Sequence, residues 1–371
     1  MTQRLSLSGA ILFIIAVIVC SLIVTNMEYL SPTRWLVDED GEYMADAVLD
    51  RLGAGSRVVA IKNANKQDID HVIDLIYDSP SLFWVDMQYN KFNIGNTTVL
   101  VVRERYDEIS VKQLEIDIVA NDVIRDVIEP NMSEYDKVLA IHDWICENVS
   151  YGTCDNNSDQ DVYGALVLKR ALCAGYAESF AYLLNKAGIK SYVISGDSID
   201  RSGESVPHAW NLVYINRQPY YFDITWNDNG KNATYDYFGV TSQEFKATHF
   251  PSRGYEWVDA TAITANYYVQ NGMYLESYSA KAIADQFNKQ GSTFIVKCAD
   301  ADVFKDTLAA LGDESELRAI MRQLGITKID GIVYTENPNL KCLKITIRSP
   351  DLPADSTQSA GIIIDFNIGG Q

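Results

Sequence analysis

Residues 171–189 read ALCAGYAESFAYLLNKAGI, residues 208–215 read HAWNLVYI and residues 220–228 read YYFDITWND. The first stretch decides the fold. Ala177, Phe180, Ala181 and Leu184 recur at helical spacing and Gly188 supplies a stop, so a helix opens at Cys173. Gly175 and the alanines around it let other backbone approach that helix closely. A side chain in the first turn of a helix meets unpaired N–H groups and the positive end of the dipole, and both stabilise a thiolate. The second and third stretches read as strands. A two-residue turn at Asn216-Arg217 pairs Trp210 with Asp223 and puts His208 on the same sheet face as the carboxylate. One residue more or fewer in that loop turns the two side chains to opposite faces. Asp223 lies inside an apolar run, reads as mid-strand, and needs a partner because an unpaired buried charge is costly. His208 is the partner within reach. His71, His142 and His249 read as structural or surface residues. Thiol, imidazole and carboxylate together are the parts of an activated cysteine nucleophile, with acyl transfer through a thioester as the implied chemistry.

Taken in order, these stretches, with KVLAIHDWICENVSY at 137–151 before them, resemble the transglutaminase-like superfamily of papain-related cysteine enzymes. The resemblance covers about residues 129–230. It implies an α+β core in which the nucleophile helix packs on an antiparallel sheet carrying the histidine and the aspartate. It carries Cys173 over as nucleophile, His208 as general base and then acid, and Asp223 as the group that orients the imidazole. The backbone N–H of Cys173 can supply one oxyanion donor. Where the papain pattern has a glutamine, about six residues upstream, this chain has Val167. The second donor is therefore open among Tyr151, Tyr163 and Trp210. The resemblance implies a protein or peptide substrate and calls for no cofactor and no metal. Asp155, Asn157, Asp159 and Asp161 alternate like the start of a calcium loop, but Gln160 replaces the glycine and Leu166 the glutamate of that pattern, so a solvated loop is expected.

The remaining sequence sets the surroundings. The 371 residues suffice for two or three domains, and 47% hydrophobic residues exclude general disorder. The net charge of -19 repels phosphate backbones, so nucleic acid is not an expected partner. Residues 5–27 carry no charge, and Leu5 to Val24 is long enough to span a bilayer. Arg4 keeps the short N-terminal side cytoplasmic, which makes this an uncleaved signal anchor, single-pass, with the body extracytoplasmic. A cleaved signal peptide is the rival, and VTNMEYL after the run offers no small-x-small site. Cys298 and Cys342 read as buried strand residues, while Cys146 and Cys154 flank a loop and could pair outside the cell.

The expected organisation is an anchor at 1–27, an N-terminal α+β region at 28–128, a catalytic unit at 129–255, a C-terminal α+β unit at 260–348 and a tail at 349–371. Both flanking regions resemble those of bacterial surface members of the superfamily. In the N-terminal region, helices are expected at 42–52, 68–77 and 111–128, and strands at 57–61, 83–89 and 97–106. Ser133 with Asp136 forms a capping box at the start of the catalytic unit. The triad does not separate hydrolysis from crosslinking, and the resemblance, to a superfamily whose bacterial members include suspected peptidases, puts hydrolysis slightly ahead. A surface binding or scaffolding module with a vestigial site is the competing class.

Overall fold

The computed structural model describes residues 48–49, 52–53, 57–62, 65–86, 89–95, 97–104, 109–154, 158–200, 202–230, 233–252, 257–351 and 362–369. The expected anchor, Cys20, most of the 42–52 segment, Asp155, Asn157 and residues 352–361 lie outside them. Among the described residues no helix is long and apolar enough to cross a membrane.

The N-terminal part is an antiparallel sheet of order β1-β3-β2, made of β1 (Val58–Lys62), β2 (Asn90–Ile94) and β3 (Thr97–Val101). Helix α1 (Lys66–Tyr77) starts at a reciprocal cap between Asn65 and Asp68, and α2 (Ile109–Val127) leads out of the region. The strand expected at 83–89 is not one. Pro80 opens a short 3-10 turn, Pro80–Leu82, and Leu82, Phe83, Trp84 and Val85 all bury themselves from it. Val85 keeps only an isolated bridge to Glu104. An apolar run too short for a helix can be buried by a turn as well as by a strand. The strand forms further on, in β2, where Phe92 and Ile94 stay exposed.

Helix α3 (Glu134–Asn148) begins at Ser133, which bonds reciprocally with Asp136. Its Val138, Ile141 and Ile145 are buried, as is Val149 beyond its end. Strand β4 (Ser150–Tyr151) pairs in parallel with β5 (Arg170–Ala171), with α4 (Val162–Leu166) between them. Helix α5 (Cys173–Lys186) follows, and Gly188 takes the left-handed conformation after it. Strands β6 (Ser191–Ile199), β7 (Ser205–Ile215), β8 (Gln218–Phe222), β9 (Phe238–Val240) and β10 (His249–Pro251) form an antiparallel sheet of order β10-β6-β7-β8-β9. Two short helices, α6 (Ile224–Asn227) and α7 (Ser242–Phe245), lie in its connections.

Helix α5 meets this sheet through small residues. Ala177 and Ala181 are buried against Val193 and Ala209, and the amide of Asn211 donates to the Ala177 carbonyl at 2.8 Å. Without long side chains between them, helix and strand approach closely, which brings the helix start within reach of β7. Phe180 and Leu184 instead join the main core with Val213 and Phe222. That core is continuous with Ile61, Trp84, Leu100 and Ile116, so apolar packing crosses residue 129 without a break.

The C-terminal unit holds α8 (Tyr267–Gln270), β11 (Tyr274–Leu275), α9 (Ala280–Gln290), β12 (Thr293–Cys298), α10 (Ala301–Leu311), α11 (Glu314–Leu324), β13 (Lys328–Asn337), β14 (Cys342–Arg348) and β15 (Ile362–Gly369). Its strand order is β11-β12-β14-β13-β15. The apolar start of the tail, Ile362 to Ile364, pairs with β13 and adds a fifth strand. The whole is mixed α+β with antiparallel sheets.

Candidate functional site

The hairpin of β7 and β8 turns at Asn216-Arg217, where both residues take positive φ, 52° and 66°. This is the type I′ geometry that suits the twist of a two-residue hairpin. The ladder runs from Ile215 opposite Gln218 to Asn211 opposite Phe222, the register in which His208 and Asp223 share a face. The last pair is not made as a ladder. Asp223 leaves the strand and caps α6, its Oδ1 accepting from the Trp226 N–H at 3.0 Å. This corrects the mid-strand expectation and explains how a fully buried carboxylate is satisfied. One oxygen serves a helix start, and the other, Oδ2, faces His208 Nε2 at 2.7 Å.

Cys173 is half-buried at the first position of α5. Leu172 before it offers no side-chain acceptor, so the first N–H groups of the helix are uncapped. The Leu172 N–H donates to the Asp159 carbonyl at 2.6 Å, and the Val162 N–H donates to Glu178 Oε2 at 3.1 Å. The loop before α4 is thereby fastened onto α5. A Cβ on Gly175 would meet Ala171 Cβ at 2.7 Å and the carbonyls of Asp159 and Asp161 at 3.0 Å, so that glycine permits the close approach. Asp161, one of the four residues in the calcium-like alternation, is buried and spends its Oδ1 on the N–H groups of Tyr163 and Gly164. It caps α4.

His208 bonds to Asp223 through Nε2, which leaves Nδ1 as the ring nitrogen not engaged by the carboxylate. Burial works to lower the imidazole pKa, but the Asp223 charge and hydrogen bond, with Cys173, outweigh it and raise the value to about 10. Burial likewise works to raise the Asp223 carboxyl, and the two neighbouring histidines hold it well below the carboxylate range instead. The indole of Trp226 lies nearly parallel to His208 at 5.2 Å, covering the imidazole.

The three open candidates fall in different places. Tyr151 is exposed beside the site, and burial together with Cys173 and Asp223 raises its phenol. The Tyr163 hydroxyl donates to Glu115 of α2 at 2.8 Å with Lys112 over its ring, so it is committed elsewhere. Trp210 is fully buried behind the imidazole, 6.4 Å from it, and its indole N–H is enclosed in the core, out of reach of a substrate. Cys146 and Cys154 carry no disulfide.

His249, expected to be structural or surface, is at the centre of the site. It is buried, and its Nε2 lies 3.2 Å from Asp223 Oδ2. Its signal in the sequence was slight: one of four histidines, 26 residues beyond the aspartate, on a strand whose pairing with β6 only the sheet order reveals. His208, Asp223 and His249 offer ligand atoms within 4.8 Å of one another. Both Nε2 atoms lie at hydrogen-bond distance from one carboxylate oxygen, so the three spend these atoms on each other. His142 is structural as expected, buried with Nδ1 on Asp143 at 2.8 Å and Nε2 near the Asn227 amide at 3.2 Å.

Residues 121–226 match the profile of the transglutaminase-like superfamily. The mouse and human kyphoscoliosis peptidases are 26% identical over 147 residues and 24% identical over 136 residues. Those alignments cover 37% and 34% of this chain, and 22% and 21% of the relatives. The chain thus spans about a fifth of the length of the curated relatives it matches. Among solved structures, a TGase matches with 18% identity and a TM-score of 0.28, over 63% of this chain and 68% of that one. The periplasmic domain of TgpA from Pseudomonas aeruginosa matches with 16% identity and a TM-score of 0.21, over 35% and 55%. Residues 121–226 are thus similar to the transglutaminase-like superfamily, over the region that holds Cys173, His208 and Asp223.

Proposed function

We propose that this protein is a thiol enzyme that cleaves or transfers the acyl group of peptide or glutamine amides, with hydrolysis favoured. The observation that carries this is the 2.7 Å bond from His208 to Asp223, made by an imidazole whose pKa is raised in part by Cys173, a cysteine at an uncapped helix start. Cys173 Sγ, as thiolate, attacks the amide carbonyl carbon and forms the C–S bond. The developing oxyanion meets the N–H of Cys173, and exposed Tyr151 is the candidate left for the second donor. His208 passes its Nδ1 proton to the leaving nitrogen as the C–N bond breaks. The thioester carbonyl then takes a nucleophile whose proton returns to His208, and the C–S bond breaks to release the Cys173 thiolate. Water yields a carboxylic acid, and a lysine amine yields a crosslink.

The peptidase names of the mouse and human relatives support the hydrolytic outcome. The uncharged run at 5–27 supports a membrane-anchored, extracytoplasmic placement, with protein or peptide substrates met there. Mass spectrometry of a peptide library incubated with the protein and with Cys173→Ala tests the reading. Cleavage, conversion of glutamine to glutamate, or ammonia loss with crosslinking names the activity. No Cys173-dependent product contradicts it and leaves the vestigial binding module.

A further inference from the structure

Asp223 faces two imidazoles, and the reaction proposed above uses one of them. For His249 Nε2 to donate to the carboxylate, its Nδ1 must accept, and the Thr248 hydroxyl lies 3.0 Å from that nitrogen. The ring is also gripped on its faces. Phe245 stacks on it at 3.7 Å, and Trp226 and Trp210 lie 4.7 and 5.0 Å away. Phe245 closes α7, whose neighbouring residue Glu244 is held from the C-terminal unit. Lys297 Nζ and Lys341 Nζ donate to Glu244 Oε1 at 2.8 and 2.9 Å, while Oε2 of the same carboxylate completes the cap of α7 with Thr241. Lys297 is buried and gives a further bond to the Leu340 carbonyl at 2.9 Å. Burying a lysine is costly and needs such a partner set.

We propose that His249 is a positioning residue for the triad, pinning Asp223 Oδ2 in line with His208, and that the C-terminal unit holds it there through Glu244 and Phe245. The Trp226 N–H fixes only Oδ1, so the second oxygen is free to swing unless a second fixed donor meets it. In a pocket closed to water, that donor also replaces lost solvation of the carboxylate. The proposal rests on the thiol-enzyme reading above.

The test uses the full chain and two readouts, the rate of Cys173 alkylation by iodoacetamide at about pH 6, located by peptide mapping, and the melting temperature. His249→Leu is expected to slow alkylation about tenfold, the loss of roughly one hydrogen bond. His249→Gln, whose amide can donate from a similar place, is expected to stay within about threefold of wild type at an equal melting temperature. Lys297→Met is expected to slow the reaction in the wild-type background and to have no effect in His249→Leu. Equal rates in the Leu and Gln variants, or a Lys297→Met effect that persists without His249, overturns the proposal. If His249→Leu does not fold, Thr248→Val keeps the ring and removes the donor to Nδ1. Imidazole nitrogen resonances then report the tautomer, and an unchanged tautomer and rate overturn it as well. Failure of the underlying reading looks different, because wild type would then react no faster than His208→Ala, and both fall together.

Discussion

At the residue scale the account turns on how Asp223 divides its two oxygens. Each accepts from a named donor, and none is left to water. Asp223→Asn keeps the shape but puts an N–H toward a donor or removes the charge that holds the imidazolium. Loss of about 10³-fold or more in turnover is expected, together with a lower melting temperature, because the buried imidazolium loses its charged partner. The sign of the pH dependence follows from the shifts. His208 is raised to about 10, so the protonated imidazole persists through neutral pH, and its stabilising pairing is complete below the free-imidazole value and lost as pH rises through about 10. Asp223 is depressed, so its contribution is present above the free-carboxylate value and lost only on falling through its own low value. A pH–rate profile should hold through pH 8 and decline toward 10, and a descending limb near the ordinary imidazole value of about 6.5 would contradict the assignment. Asp78 behaves oppositely. Burial raises it to about 7 although the Ser195 hydroxyl donates to it at 2.5 Å, and its Oδ2 has no hydrogen-bond partner. The folded state therefore holds a proton there that the unfolded chain gives up near pH 4, and stability falls as pH rises between the two values. Asp78→Asn should raise stability at pH 8 by roughly 2–4 kcal/mol and have little effect at pH 4, measured by urea unfolding at each pH. A loss at pH 8 would show that the ionised carboxylate is wanted.

At the element scale the central device is the β7–β8 hairpin. Asn216-Arg217 adopts left-handed backbone at both positions, and a side chain larger than glycine is disfavoured at the second. Arg217→Gly is expected to stabilise the chain by about 0.5–1 kcal/mol without altering alkylation of Cys173. Insertion of one residue in the turn should abolish fast alkylation while circular dichroism stays close to wild type, because His208 then loses the face of Asp223. The helix at Cys173, its glycine stop, the capping box at Ser133 and this turn were all legible in the sequence, because each depends on residues close along the chain. What escaped depends on distant partners. The 83–89 run is apolar enough for a strand, but Pro80 and the pairing of β2 with β3 place it in a turn. Asp223 looked mid-strand because YYFDITW is apolar throughout, and only the cap on Trp226 ends β8 there. His249 reaches the site because β10 pairs on the far side of β6, a matter of sheet order that no local pattern states. Trp210 and Tyr163 were named for their donor groups, and burial against Phe245 and a bond to Glu115 decide otherwise.

At the scale of the whole molecule, the flanking regions are packed against the unit that holds Cys173, His208 and Asp223. The main core runs from the first sheet through α5 to Phe238, and Leu340 and Cys342 of the C-terminal unit pack with Trp210 and Tyr221. The buried ion pairs of Glu244 with Lys297 and Lys341 tie the third sheet to α7. Lys297→Ala leaves the Glu244 carboxylate buried with only Lys341, which is partly exposed, and should cost about 3 kcal/mol in urea unfolding. Lys297→Met, which fills the space, should cost less, and an equal cost for the two variants would show that packing dominates. The six cysteines of the chain give the most direct test of the central claim, that Cys173 is an armed nucleophile. Burial pushes the Cys146, Cys298 and Cys342 thiols up, so they are poor nucleophiles at any mild pH. Iodoacetamide at about pH 6, followed by peptide mapping, should modify Cys173 first and many times faster than any other cysteine, and His208→Ala should remove that preference. Modification of Cys173 at the rate of an ordinary thiol, unchanged by His208→Ala, would contradict the account.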